Sequence, residues 1–261
     1  GLLTYKKIGS NASLPNRLAA EKNERENRQG VLFVVRDKAH FANGHVKGYI
    51  ITSKESLLAN VDALTHFTPN IYRYGTYSDE KRQFIKGFSE DNLQQINTFV
   101  IDIDTKRHTV NELLLACMDH SIGLPTFIVE SERGYQLYFV LSSPLFISNK
   151  NSFRGLKVAK RISDNLKRSL VQVDADIYCN DFGFFRMPKR DNIAYVDLNN
   201  TYSMHEFIQW SMRRDDDLAR PLFVMPTASA QKASIMDTEW FQALIHAVDI
   251  KGKKGQIGRN N

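Results

Sequence analysis

The chain has 261 residues, of which 42% are hydrophobic and 11% aromatic, enough for one large domain or two modest ones. This composition excludes a wholly disordered chain, and no apolar run approaches the roughly 20 residues of a membrane-spanning helix. We therefore expect a soluble, cytoplasmic protein without membrane partners. Lys and Arg number 35 against 29 Asp and Glu, and the resulting net charge of +6 favours phosphate-bearing partners.

The hydrophobic pattern predicts an α/β (α+β) protein in which short strands alternate with helices and antiparallel hairpins. In chain order, the predicted strands are 31–35, 49–52, 71–77, 97–104, 125–131, 135–141, 174–178, 184–188 and 194–198. The predicted helices are 52–67 with Thr52 and Glu55 as a capping box, 109–124 with Thr109 and Glu112, 151–170, and one that begins at Ser203 and Glu206. The strands on either side of residues 132–134 are separated by only three residues and predict a hairpin.

Two acidic residues two positions apart mark the clearest strand. Asp102 and Asp104 leave the same face of that strand, while Phe99, Ile101 and Ile103 point to the opposite face. Two carboxylates held this close favour a divalent cation such as Mg²⁺ or Mn²⁺ that carries substrate phosphates. The alternative is a strand that ends in solvent with two polar residues.

A second acidic pair, Asp174 and Asp176, has the same spacing and could complete a metal site with three carboxylates. An Asp-rich turn is the alternative explanation of this pair. Ten residues after Asp176, Arg186 begins a basic segment with Lys189 and Arg190, and this segment could meet a triphosphate or a template backbone. The alternative for this segment is a solvated basic loop.

Two further segments have compositions suited to nucleotides and nucleic acids. The hairpin turn contains Ser131, Arg133, Gly134 and Gln136, whose polar groups and glycine could admit a nucleotide close to the backbone. The helix 151–170 concentrates basic residues on about a third of its circumference, opposite an apolar seam. These candidate DNA-binding residues are Lys157, Lys160, Arg161, Lys167 and Arg168. A solvated basic face is the alternative explanation.

Taken in order, these motifs resemble the archaeo-eukaryotic primase superfamily, and in particular the primase-polymerases of plasmids and other mobile elements. The resemblance rests on the acidic pair in FVIDID, the hairpin that begins at Ser131, and an acidic residue followed by Arg186-Met187-Pro188. It covers residues 31–215, and the spacing to Arg186 favours Asp176 over Asp174 as the third acid. Gln136 departs from the pattern, because the family places a nucleotide-contacting histidine at that position.

The resemblance implies an RRM-like mixed or antiparallel sheet beside an α/β unit, and a primase or polymerase that extends primers on single-stranded DNA. In that activity Asp102, Asp104 and Asp176 would hold Mg²⁺ or Mn²⁺. Ser131, Arg133, Gly134, Gln136, Arg186 and Lys189 would bind NTP or dNTP. The glutamine at position 136 supports an alternative, in which the protein is an origin-binding initiator with little or no synthesis activity.

The chain divides by composition into three parts. Residues 1–215 are the predicted catalytic domain, 216–236 an irregular linker, and 237–261 the start of a helical domain. The last segment resembles the beginning of the helical domain that follows the catalytic domain in these replication proteins. We expect the chain to be part of a longer protein whose remaining portion contacts a replicative helicase or origin DNA.

Overall fold

A computed structural model of the chain describes residues 5–7, 18–20, 30–148 and 153–217. Its strands are β1 Tyr5–Lys7, β2 Leu18–Ala20, β3 Leu32–Val35, β4 Val46–Lys47, β5 Tyr49–Ile51, β6 His66–Phe67, β7 Ile71–Tyr72, β8 Tyr74–Tyr77, β9 Phe84–Lys86, β10 Leu93–Ile103, β11 Phe127–Glu130, β12 Tyr135–Phe146, β13 Phe185–Arg186 and β14 Ile193–Val196. Its α-helices are α1 Lys54–Asn60, α2 Val110–Asp119, α3 Arg154–Ser169 and α4 Met204–Asp217. Short 3₁₀ helices cover Lys38–Gly44, Val61–Ala63, Glu90–Asn92 and Val171–Val173.

The central sheet has the strand order β14-β11-β12-β10-β7, and every neighbouring pair in it is antiparallel. Its two long strands, β10 and β12, pair over most of their length, with one irregularity between Ile96 and Thr98. The predicted hairpin is formed by β11 and β12. The predicted α+β class with antiparallel sheets is therefore confirmed.

Side-chain alternation along β10 gives the central sheet two different faces. Phe99, Ile101 and Ile103 are at most 1% exposed and belong to the main hydrophobic core. Apolar residues of α2, α3 and α4 complete that core, so the three helices cover this face. Val100 lies on the opposite face, in a smaller cluster with Phe185 of β13. The second face is thus packed against another sheet rather than against helices.

Two further sheets are built mainly from the N-terminal half. A four-stranded sheet has the order β13-β6-β3-β5, and a five-stranded sheet has the order β1-β2-β8-β9-β4. Strand β13 comes from much later in the chain and joins the edge of the first of these sheets by pairing with β6. This long-range pairing brings the segment around Arg186 beside the second face of the central sheet.

The helix caps agree with the sequence at two of three predicted positions. Thr109 and Glu112 form the predicted capping box of α2, and Ser203 and Glu206 exchange the same hydrogen bonds at the start of α4. At α1 the prediction is wrong, because Ser53, rather than Thr52, accepts the backbone N–H of Ser56. The helix also ends at Asn60, and His66–Phe67 is a strand, since this segment fills the gap between β3 and β13.

Two other predicted elements differ in the structure. Residues 174–178 are not a strand: Asp174 adopts a left-handed conformation with φ of 64°, and only Ala175 forms an isolated bridge, to Ile103. The predicted strand 71–77 is divided at Arg73 into β7 and β8, which belong to different sheets. The predicted terminal helical segment and nearly all of the predicted linker lie outside the described residues. Among the described helices, none is long and apolar enough to cross a membrane.

Candidate functional site

Asp102 lies on the second face of the central sheet, one position from the end of β10. Its direct partner across the antiparallel pair is Gln136 of β12, so the two side chains share a face. Asp104 follows one residue after β10 ends and is exposed. The alternation of this strand therefore places Asp102 opposite the buried Ile101 and Ile103, as predicted from the sequence.

Asp176 lies close to Asp102 because its loop is attached to the end of β10. The Asp176 N–H donates to the Asp102 carbonyl at 2.9 Å, and Ala175 bridges to Ile103. The Asp176 carboxylate in turn accepts the backbone N–H of Tyr178 at 2.8 Å. These contacts bring together the two acidic segments, which are separated by about 70 residues of sequence.

Asp174 has a different environment from Asp176. Arg107 Nη2 donates a hydrogen bond to both of its carboxylate oxygens, at 2.8 Å each, and one of these oxygens lies 3.1 Å from His108 Nε2. Arg107 and His108 belong to the loop that follows Asp104. Asp174 therefore connects the two acid-bearing loops by ion pairs, whereas Asp176 is attached to Asp102 through the main chain, close enough for its charge to raise the pKa of Asp102.

The pKa of Asp102 is raised to about 6, chiefly by burial. The hydrogen bond from Gln136 and the charge of Arg133 lower it, while the nearby charges of Asp104 and Asp176 raise it. A partly buried carboxylate with two like-charged neighbours is stabilised by a cation, and the hard oxygen donors fit Mg²⁺ or Mn²⁺. Among the described residues, no three His, Cys, Asp or Glu side chains are arranged as a ready metal cluster.

The hairpin turn between β11 and β12 is held by Ser131 and Gly134. The Gly134 N–H donates to Ser131 Oγ at 3.1 Å, and the Ser131 N–H donates to the Gly134 carbonyl at 2.8 Å. A Cβ at Gly134 would lie 1.7 Å from the carbonyl oxygen of Ile103, so only glycine allows the turn to approach β10 this closely. Arg133, at the tip of the turn, is exposed and near enough to Asp102 to lower its pKa.

Gln136 connects Asp102 to the segment around Arg186. Its Nε2 donates to Asp102 Oδ1 at 3.1 Å, and its Oε1 accepts the backbone N–H of Arg186 at 2.8 Å. The hydroxyl of Tyr138, which is buried, also donates to the Arg186 carbonyl at 2.8 Å. The amide thus orients the acid and at the same time fixes the main chain of β13.

Strand β13, which carries Arg186, forms the other wall of the site across Gln136 from Asp102, and Lys189 follows it in the chain. Arg186 is half-buried, and its register partner on β6 is His66. Lys189 Nζ donates to the Asp62 carbonyl at 2.6 Å, and its backbone N–H donates to Asn192 Oδ1 at 2.7 Å. Of the predicted nucleotide-binding residues, Ser131, Arg133, Gly134, Gln136 and Arg186 surround the Asp102 region, whereas Lys189 is directed toward the 3₁₀ helix at Val61–Ala63.

The basic residues of α3 do not form the free basic stripe that the sequence suggests. Lys167 is buried, forms an ion pair with Asp181 at 2.8 Å, and donates to the Cys179 carbonyl at 3.0 Å. Arg161 is 16% exposed and forms an ion pair with the buried Asp215 of α4. The expected exposure is therefore wrong at these two positions, because α3 packs against α4 and against the loop that carries Asp176.

The other three basic residues of α3 are more accessible. Lys160 is paired with Glu90 at 2.7 Å, and Arg168 is paired with Asp164 at 2.9 Å. Lys157 is half-buried near the start of the helix. Helical periodicity placed these charges on one side of α3, but it could not identify the carboxylates that other elements bring to them.

Sequence reasoning missed several residues that the fold brings to this region. Tyr138, Arg107, His108 and His66 contact or flank the predicted site residues. Arg107 and His108 directly follow the acidic motif, so their proximity along the chain was the available signal. His66 has no local signal, because it reaches Arg186 only through the pairing of β6 with β13.

Comparison with known proteins gives relatives of which one is named a replication initiation protein. Over 272 residues the chain is 38% identical to Protein RepS of Streptococcus pyogenes and 38% identical to Protein RepR of Streptococcus agalactiae, covering 100% of this chain and 52% of each relative. It is 36% identical over 277 residues to a replication initiation protein of Bacillus anthracis, covering 100% of this chain and 54% of that protein. The recognition of a likeness to replication proteins is confirmed, and the chain spans about half the length of these relatives.

No protein-family model matches the chain. Among solved structures, the archaeo-eukaryotic primase domain of the cyanophage S-2L primase-polymerase matches with a TM-score of 0.43 and 11% identity, covering 71% of this chain and 90% of that chain.

Proposed function

We propose that this chain carries the nucleotidyl-transfer part of a replication initiation protein and makes or extends primers on a single-stranded DNA template. The observation that carries the proposal is the position of Asp102. It is a partly buried carboxylate with Asp104 and Asp176 beside it, and it is connected through Gln136 to the strand of Arg186. Carboxylates beside cationic side chains suit the transfer of a nucleotidyl group from a triphosphate.

In this proposal Asp102, Asp104 and Asp176 hold Mg²⁺ or Mn²⁺. A bound divalent cation would neutralise phosphate charge and lower the pKa of the attacking 3′-hydroxyl. Arg133 and Arg186 bind the phosphates of the incoming NTP or dNTP. Lys189 is left out of this role, because its Nζ is hydrogen-bonded to the Asp62 carbonyl. Ser131 and Gly134 shape the turn that carries Arg133, and Gln136 keeps the Asp102 carboxylate oriented.

The accessible basic residues of α3 are proposed contacts for the template. Lys157, Lys160 and Arg168 lie on a single helix, and a phosphate backbone would replace the surface carboxylates that now pair with two of them. Lys167 and Arg161 are left out of this role because they are engaged in interior ion pairs.

A second candidate function is origin binding with little or no synthesis. One relative is named as a replication initiation protein, and Gln136 is already hydrogen-bonded to Asp102 and to Arg186. In this alternative the fold presents DNA-binding surfaces, and a helicase or origin DNA is contacted by the portion of the relatives that extends beyond this chain.

Primer synthesis on a defined template tests the proposal. The protein is incubated with single-stranded template, labelled NTPs or dNTPs, and Mg²⁺ or Mn²⁺, beside an Asp102→Ala, Asp104→Ala double variant. A Glu80→Ala, Asp119→Ala double variant removes two exposed acids elsewhere and serves as the control. Products that are lost only in the first variant support the proposal. Absence of product even with a primer and Mn²⁺, together with sequence-specific duplex binding, would favour the initiator function.

A further inference from the structure

A cavity of about 170 Å³ lies between the four-stranded sheet and α1. Its floor is one face of that sheet, where Val34 of β3 and Tyr49 of β5 are direct antiparallel partners and therefore share a face. Helix α1 forms the opposite wall with Ser56 and Asn60. The volume is below the roughly 300–1,000 Å³ of pockets for drug-sized ligands, so the cavity suits a single ring system.

A cation and an aromatic ring form the surface side of this cavity. Arg36 and Tyr49 line it and are both exposed, Tyr49 by 42%. The Arg36 guanidinium carbon lies over the Tyr49 ring, 4.7 Å from the ring centroid. The pair therefore presents flat groups on which a further planar ring can stack. Stacking on aromatic and guanidinium groups is how proteins hold unpaired bases.

The interior of the cavity is apolar at the sheet and polar at the helix. Ile51 is 5% exposed and Leu64 is 1% exposed, and both belong to a small hydrophobic cluster with Val34. On the helix side, the Ser56 hydroxyl and the Asn60 amide supply hydrogen-bonding groups. This combination matches a nucleobase, because its faces stack and its edges donate and accept hydrogen bonds.

Positive charge predominates in the segments that line the cavity. Residues 36–38, 47–49 and 54–56 each contribute a lining residue, and together they contain four cationic and two acidic side chains. The cationic ones, all exposed, are Arg36, Lys38, Lys47 and Lys54. The acidic ones, Asp37 and Glu55, are also exposed. The excess of cations suits the phosphates on either side of a bound base.

The cavity is separate from the acidic site. The four-stranded sheet has the order β13-β6-β3-β5, so β5 lies three strands from the strand that carries Arg186. At about 4.8 Å per strand the separation is about 14 Å, which is about four nucleotides at the stacked rise of about 3.4 Å. A short single strand of DNA is therefore long enough to reach both places.

We propose that this cavity holds one unpaired base of single-stranded DNA, stacked on the Tyr49–Arg36 pair, with the neighbouring phosphates near Lys47 and Lys54. The inference rests on the proposed single-stranded template and adds to it a contact in the N-terminal half, apart from α3. Because every base has a flat face, stacking here holds a template whatever its sequence.

Binding of single strands to the whole chain, measured by fluorescence anisotropy without metal, tests the proposal. Each variant is compared on a labelled oligo(dT) strand of about ten nucleotides and on a strand of the same length that lacks bases. We expect Tyr49→Ala to weaken binding of the dT strand about tenfold and to leave the abasic strand within about twofold. Tyr49→Phe keeps the ring and should bind both strands like the wild type.

A second variant fills the cavity and leaves the stacking pair in place. Ser56→Leu puts a larger side chain against the apolar floor, and it should weaken the dT strand but not the abasic strand. Phe146→Ala is the matched control, because it removes a ring of similar exposure, 38%, at the end of β12 remote from Gln136. Its affinity for both strands should equal that of the wild type. Thermal unfolding checks the fold of every variant.

Three results would overturn the proposal. Unchanged dT affinity in Tyr49→Ala and Ser56→Leu would exclude the cavity as a base site. An equal loss on the dT and abasic strands would show that the variants act through charge or folding and not through a base. Titration with dTMP distinguishes the source of the base. If dTMP binding depends on Tyr49 while strand binding does not, the cavity takes a free nucleotide instead of a template.

Failure of this contact can be distinguished from failure of the proposed function. If the wild type makes no primer but binding of the dT strand depends on Tyr49 and Ser56, the base site stands and nucleotidyl transfer does not. If primers are made while both variants bind the two strands like the wild type, nucleotidyl transfer stands and the base site is rejected.

Discussion

The acid-bearing end of β10 and the basic helix α3 were both predicted from periodicity, and only the first has the exposure that its pattern suggested. On β10 the side chains alternate between the two faces of the sheet, so Asp102 lies opposite Ile101 and Ile103. The neighbouring strands fix that arrangement. On α3 a period of 3.6 places basic residues together, but Asp181 and Asp215 from other elements neutralise two of them. The face on which a charged strand residue lies is set by the pairing of its sheet, whereas the exposure of a charged helix face depends on every element packed against it.

The sharpest test of the acidic site compares Asp176 with Asp174, the two candidates for its third acidic residue. Asp176→Asn should reduce primer synthesis at least a thousandfold, because it removes a negative charge from the group around Asp102. Asp174→Asn should retain activity within about tenfold and lose thermal stability instead, because it weakens the pairs with Arg107 and His108. Single-turnover rates and thermal melts measure the two effects. Equal loss of activity in both variants would show that the structure does not separate their roles.

The largest stability effect is expected on α3. Lys167→Met leaves Asp181 without its buried cation and should cost about 3–5 kcal/mol of unfolding free energy. Arg168→Gln, which breaks an exposed pair on the same helix, should cost about 0.5 kcal/mol. Urea denaturation measures both values. Similar costs for the two variants would mean that Lys167 is as solvated as the sequence suggested.

The raised pKa of Asp102 predicts a pH-dependent stability. Because the folded state holds this proton up to about pH 6 and the unfolded state releases it near 3.8, the wild type loses stability as pH rises between these values. Asp102→Asn does not titrate, so its stability relative to the wild type should increase over that window, by at most about 3 kcal/mol. Denaturation at pH 4 and pH 7 without metal measures the difference. A constant difference would contradict the raised pKa.

Substitution of Gln136 tests whether the site needs the link between Asp102 and the strand that carries Arg186. Gln136→Leu removes the hydrogen bonds to Asp102 and to the Arg186 N–H, and it should lower the rate of primer synthesis about tenfold. Gln136→Glu keeps an acceptor for Arg186 but adds a negative charge beside Asp102, so its activity should fall further at pH 8 than at pH 6. A pH-independent defect in Gln136→Glu would argue against contact with Asp102.

The smallest expected effect concerns the template. Lys157→Gln should weaken single-stranded DNA binding modestly and reduce the magnitude of the salt slope by about 0.7. Arg161→Gln should leave the salt slope unchanged, because its charge is already paired with Asp215. Binding isotherms at several salt concentrations measure the slope. Equal slopes for Lys157→Gln and the wild type would remove α3 from the proposed DNA-binding surface.

Local signals account for the parts of the fold that were predicted correctly. The caps at Thr109 and Ser203, the β11–β12 hairpin and the alternation around Asp102 all arise from residues close in sequence. The errors share a different origin. The strand at His66–Phe67 and the turn at Asp174 form because distant segments pair with them, so neither propensity nor spacing contains the necessary information.

The close approach of Gly134 to the Ile103 carbonyl distinguishes the two walls of the site. The absent side chain lets the hairpin turn rest directly on the main chain at the end of β10. The opposite wall is a two-residue strand, β13, attached through β6 and the amide of Gln136. The two walls of the site are therefore held in different ways: the acids by main-chain contact with the hairpin turn, and Arg186 by pairing with β6 and by hydrogen bonds with two side chains of β12.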